Sequence, residues 1–184
     1  NLIDAVCRGT TDGLKLAANV GAMLLVFTAL VALVNAVLVD WIGAPTGLNG
    51  VVRSLTGGVF DSLSLEFLLG MIFAPVAWLM GISPDAIMVS GALLGERTVL
   101  NEFVSFVHLG ELKAEGAFND PRNLMILTYA LAGFANIVSI GIQVGGIGSL
   151  APSQRENLAR FGVKALLGAS LACFLTGAVA GILG

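Results

Sequence analysis

Apolar residues in this chain run in blocks, and small clusters of polar side chains separate or interrupt them. Residues 14–39 form one such run, flawed only by Lys15, Asn19 and Asn35. As a helix it is long enough to cross the roughly 30 Å hydrocarbon core of a bilayer. Residues 40–64 are a mixed connector with Pro45, Arg53 and Asp61, too polar to span, in which Val51-Val52-Arg53-Ser54-Leu55 reads as a stretch lying along the interface. Residues 65–82 form a second span, with Glu66 near its start and Pro75 as a kink that a membrane helix tolerates.

Between residues 83 and 112 the pattern changes. Two apolar pieces, 86–94 and 103–109, are each too short to cross, and Glu96, Arg97, Thr98, Asn101 and Glu102 lie between them. This predicts a re-entrant helical hairpin. Its tip, around residues 98–102, must face the protein interior, because irregular backbone at membrane depth is tolerated only inside protein or beside a wet cavity. After a polar loop over 110–123, residues 124–150 predict a spanning helix that is broken in the middle. Gly133, Asn136, Ser139, Gln143 and the cluster Gly145-Gly146-Ile147-Gly148 all weaken its continuity. A basic connector with Pro152, Arg155 and Arg160 leads to a last helix over 161–183, rich in Ala and Gly as close packing in lipid requires. The fold class is therefore all-α and polytopic: transmembrane helices, one re-entrant hairpin and one discontinuous helix.

Composition supports lipid as the solvent. Of 184 residues 57% are hydrophobic and 11% charged, with a mean hydropathy of +0.94. A soluble domain carries about 25% charged residues. The net charge of -3 gives no reason to expect nucleic acid as a partner. Cys7 and Cys173 lie at opposite ends of the chain, form no metal-ligand spacing and read as packing residues. No initiator Met or signal-peptide pattern is present, and the chain begins as if cut from something longer. Orientation stays open: Arg8, Lys15, Lys113 and Arg122 fall on one side and Arg53, Arg155, Arg160 and Lys164 on the other.

The candidate chemistry lies at the two interruptions. A carboxylate at membrane depth costs a few kcal/mol or more and usually marks a substrate or ion path. Glu102, ionised, accepts hydrogen bonds only and has lone pairs enough for two neighbouring hydroxyls, which points to a polyol or sugar-like group. A proton-coupling role is open to the same carboxylate, and so is a plain ion pair with Arg97, which has Glu96 and an interface as its other options. Asn136 and Ser139 are three apart, so on a helix both project to one side; they read as ligand contacts or as interhelical hydrogen bonds. Phe134 adds an aromatic face beside them. Thr98 and Asn101, at the hairpin tip, are supporting candidates.

Other features carry less. Three GxxxG matches start at Gly91, Gly141 and Gly177, but among 24 glycines several arise by chance. The Gly145–Gly148 cluster lacks the strand and the Lys of a nucleotide loop. His108, the sole histidine, reads as interfacial, and no metal site is expected in this chain. Without H-E-x-x-H or G-x-S-x-G, hydrolysis has no motif to stand on, and the chain is not read as an enzyme.

Several segments together resemble the concentrative nucleoside transporter family, its bacterial members most closely. They are Asn1-Leu2-Ile3-Asp4-Ala5 with residues 12–24; Gly95-Glu96-Arg97-Thr98-Val99-Leu100-Asn101-Glu102-Phe103-Val104; residues 133–141; and Gly145-Gly146-Ile147-Gly148-Ser149-Leu150-Ala151-Pro152. The resemblance runs from end to end. It implies sodium- or proton-coupled nucleoside uptake, no cofactor, and a homotrimer in the bacterial inner (plasma) membrane. A transport domain would move past a trimeric scaffold in an elevator mechanism.

By the same resemblance the chain is the C-terminal half. Residues 1–64 would hold a helix and interfacial connector, 65–82 the scaffold and trimer-contact helix, and 83–184 part of the transport domain. Glu102, Asn136 and Ser139 match ribose contacts, and Phe134 matches an aromatic contact near the ligand. Arg97 stands where the family more often has lysine, and Ser105-Phe106 replace a commoner Ala-Tyr pair. The cation site and nucleobase contacts are expected upstream, so this piece alone should not transport. The competing expectation is a non-transporting membrane assembly module derived from the same family.

Overall fold

The computed structural model describes residues 2–184, and the side chains of all these except Leu16, Asn19, Val20, Met23, Leu24, Phe27, Ser149 and Leu150. All regular secondary structure among the described residues is helical, with no strand. Helix α1, Leu2–Asn35, continues without interruption as a π-helix, Ala36–Gly43, and one further turn, Ala44–Thr46. The connector expected from residue 40 thus begins only at Gly47. That glycine takes a left-handed conformation, φ 75°, which ends the run. The wider π turn draws a side chain in: Asn49 donates from Nδ2 to the Val39 carbonyl at 3.0 Å and accepts from Leu63 N at 3.0 Å.

The stretch read as interfacial folds as the amphipathic helix α2, Leu48–Leu55, with Val52 buried and Val51 and Leu55 exposed. Helix α3, Leu65–Leu79, is capped by Ser64, whose hydroxyl accepts from Phe67 N at 3.2 Å. Pro75 sits inside α3 without ending it. Asn35, a flaw in the first apolar run, fixes α1 to α3. Its Oδ1 accepts from Leu65 N at 2.8 Å and its Nδ2 donates to both Glu66 carboxylate oxygens at 3.0 and 3.1 Å.

Helices α4, Ile87–Val99, and α5, Glu102–Ala114, form the helical hairpin, with a turn of only two residues. Both arms are longer than the apolar pieces: Glu96, Arg97 and Thr98 stay helical in α4, and α5 takes in Glu102 and residues 110–114 of the expected loop. Two GxxxG matches find partners here. A Cβ on Gly91 would lie 2.6 Å from the Gly70 carbonyl oxygen, and one on Gly95 2.5 Å from Leu69 Cβ, so α4 lies against α3 with no room for larger residues. Gly177 stands likewise against the Ile126 carbonyl, at 2.7 Å. Gly141 and Gly145 face open space.

Helix α6, Pro121–Leu131, is capped by Asp120, and helix α7, Ile137–Leu150, follows after residues 132–136. The discontinuity is therefore short. Gly145, Gly146 and Gly148, expected to weaken the helix, remain helical, as glycines commonly do in apolar surroundings. A single 3₁₀ turn, Pro152–Gln154, replaces most of the expected basic connector, and α8, Arg155–Leu183, takes in Arg155 and Arg160. The core brings together Ala77, Leu93, Leu94, Leu109, Ile126, Leu127 and Phe174 from α3 to α6 and α8. Thr28–Thr46 and Pro152–Leu183 are long and apolar enough to cross a membrane. Their outward residues, such as Leu30, Leu33, Leu167 and Leu171, are exposed.

Candidate functional site

Two helices begin at the same point inside the molecule. At the hairpin tip, Asn101 takes an extended conformation and its Oδ1 accepts from Val104 N at 3.0 Å, which caps α5 and makes Glu102 its first residue. Across from it, Asn136 is also extended and caps α7. Its Oδ1 accepts from Ser139 N at 2.7 Å, while Ser139 Oγ accepts from Asn136 N at 3.3 Å and donates to the Asn136 carbonyl at 2.6 Å. This capping box commits one end of the Asn136 amide. The other end donates from Nδ2 to Glu102 Oε2 at 2.9 Å.

Glu102 is thus held between two helix N-termini, each presenting unpaired N–H groups and the positive end of a dipole. Asn136 is 1% and Ser139 6% exposed, and Glu102 is half-buried. One carboxylate oxygen and the second lone pair of the other remain available. Such an arrangement can accept two hydrogen bonds from adjacent hydroxyls while the helix ends favour the negative charge.

The remaining candidates are placed less centrally. Thr98 is turned to its own helix, donating to the Leu94 carbonyl at 2.8 Å. Phe134 is half exposed and, with Ser139 and Gln143, lines a cavity of about 580 Å³ between α7 and α8. Glu102 does not line that cavity, so Ser139, bonded to Asn136, links the Glu102–Asn136 pair to the aromatic wall.

The partner choices left open by spacing resolve differently from a hairpin ion pair. Arg97 makes no ion pair with Glu102 or Glu96: it is fully buried and donates from Nε to the Gly133 carbonyl at 3.4 Å. Glu96, also buried, is taken by His108, whose Nδ1 lies 2.8 Å from Glu96 Oε2 across the two arms of the hairpin. Spacing gave no signal for either contact, since each depends on how the arms and the helix break fold together. Among the described residues no group of His, Cys, Asp and Glu side chains could hold a metal ion.

The family described as "Na+ dependent nucleoside transporter C-terminus" matches residues 1–181. An uncharacterized transporter, YutK, of Bacillus subtilis is 41% identical over 182 residues, covering 99% of this chain and 41% of that protein. The nucleoside permease NupC of Helicobacter pylori is 35% identical over 187 residues, and human solute carrier family 28 member 3 is 36% identical over 198. The solved structure of CNTnw in an inward-facing substrate-bound state superimposes with a TM-score of 0.76 at 35% identity, covering 98% of this chain and 41% of that one. The chain spans about two fifths of the length of the bacterial relatives and about a quarter of the human one. All-α, with a broken helix and two membrane-length apolar helices, it is an integral membrane chain of the family of Na+ dependent nucleoside transporters, matching that family's C-terminal part.

Proposed function

We propose that this chain is the C-terminal part of a cation-coupled symporter that imports nucleosides across the bacterial plasma membrane, and that it supplies the ribose side of the binding site. The observation that carries the reading is the 2.9 Å bond between Glu102 and Asn136, which joins two helix N-termini at a buried polar point in a chain of this family. Glu102 accepts from the ribose hydroxyls, Asn136 and Ser139 complete the polar wall, and Phe134 lies against a ring. Thr98 and Asn101 support the tip that carries Glu102. Discontinuous helices with their N-termini turned to a polar solute are a recurrent design for such sites.

The family description supports sodium as the coupling ion, with a proton as the alternative. The ion site and nucleobase contacts lie in the remainder of the longer protein. Residues 65–82 belong to a scaffold that forms a homotrimer, and residues 83–184 belong to the moving transport domain.

Radiolabelled uridine uptake by the full-length protein in proteoliposomes, with imposed sodium or proton gradients, tests this reading. Accumulation driven by one gradient and lost in Glu102→Gln is expected. Flux independent of both gradients would reject symport, and no uptake by a folded trimer would favour the non-transporting assembly module.

A further inference from the structure

Arg97 is fully buried on α4, yet neither terminal nitrogen of its guanidinium has an acceptor among the described residues. Its Nε donates to the Gly133 carbonyl, and its Cζ lies 5.5 Å from the centroid of the Phe174 ring on α8. A Cβ on Gly133 would clash first with Cys173 Sγ and would also come within 3.2 Å of the guanidinium, so the break between α6 and α7 packs closely against both side chains. A buried cation with incomplete partners opposes folding, and an apolar side chain of similar volume commonly serves stability as well or better. Stability therefore does not account for Arg97. Its location does: it touches the break on one side and sits at the end of the hairpin arm that leads into Glu102 on the other.

We propose that Arg97 is a positioning residue for the nucleoside site, an inference that rests on reading Glu102 and Asn136 as ligand contacts. Its Nε adds a second donor, at 3.4 Å, to the Gly133 carbonyl, which already accepts from Ala135 N at 2.8 Å within the break, and so ties the turn that carries Phe134 and Asn136 to α4. Its charge balances that of Glu102 without occupying the carboxylate, whose Oε1 and second Oε2 lone pair can accept from a ligand beside the bond from Asn136. Phe174 covers the guanidinium face and keeps it from turning away.

The test is uridine binding by calorimetry, paired with thermal unfolding, on the full-length transporter carrying Arg97→Met, Arg97→Gln, Arg97→Lys or Glu102→Gln. Arg97→Met is expected to unfold at or above the wild-type temperature yet bind uridine about tenfold more weakly or worse, as small misplacements of contact groups do. Arg97→Lys keeps a charge and a donor and is expected to bind within about threefold of wild type. Arg97→Gln is the second neutral variant, should Met disturb assembly, and is expected to lose affinity as Met does. Wild-type affinity in a neutral variant overturns the role. So does a loss of affinity that follows a lowered unfolding temperature and is not rescued by lysine. Weak binding in Glu102→Gln with normal binding in the neutral Arg97 variants would remove Arg97 alone. Normal binding in Glu102→Gln would overturn the ribose reading and this inference with it.

Discussion

Asn136 reaches Glu102 from a neighbouring helix cap: its Nδ2 donates to Glu102 Oε2 at 2.9 Å while its Oδ1 remains bonded to Ser139 N at 2.7 Å. One amide therefore both starts α7 and orients the carboxylate at the start of α5. The two tasks separate by mutation.

Asn136→Asp keeps an oxygen for the cap and places a carboxylate against Glu102. Uridine binding is expected to weaken by at least about tenfold through like-charge repulsion, and the unfolding temperature to fall, because a second carboxylate is buried beside the first. Asn136→Ala adds no charge but removes the cap, at a cost of about 1 kcal/mol in stability. Calorimetric binding and thermal unfolding of the full-length protein check both.

Glycine contacts give a prediction with an internal control. Gly91→Val forces a side chain into the Gly70 carbonyl of α3, where a Cβ alone would lie 2.6 Å away. A loss of about 1–3 kcal/mol is expected, as for overpacking elsewhere. Gly141→Ala and Gly145→Ala meet nothing within 4 Å and are expected to be neutral or slightly stabilising. Denaturant titration of the three variants side by side decides it.

Asn35→Ala removes the bonds to Leu65 N and to Glu66. Because the groups are partly buried, about 1–2 kcal/mol of stability is expected to be lost. Uridine affinity should be unchanged, since α1 and α3 lie away from Glu102. Unfolding and binding measured on the same sample test this.

Much of the helical order is legible in the sequence because block length and polarity report it directly. The hairpin follows from two apolar pieces too short to span, and its tip from Asn101 and Glu102 between them. Helix ends are harder. Residues 36–46 stay helical although Asp40 and Pro45 suggest a connector, because a π turn and the Asn49 side chain satisfy the backbone. Of the residues that read as a break, Gly133 and Asn136 lie in it, at residues 132–136 where Gly133 must admit Arg97 and Cys173, whereas Gly145, Gly146 and Gly148 stay helical. Side-chain pairing was least legible. Glu96 and Glu102 both stand within reach of Arg97 along the chain, but folding gives Glu96 to His108 and Glu102 to Asn136. Only the packing of three separate segments distinguishes these choices.

The most direct test of the ribose reading compares inhibition of uridine uptake by uridine and by 2′,3′-dideoxyuridine, in wild type and in Glu102→Gln. If Glu102 accepts from the ribose hydroxyls, wild type should disfavour the dideoxy compound by about a hundredfold, and the mutant should discriminate far less. Undiminished discrimination in Glu102→Gln would contradict the account and place recognition of the hydroxyls elsewhere.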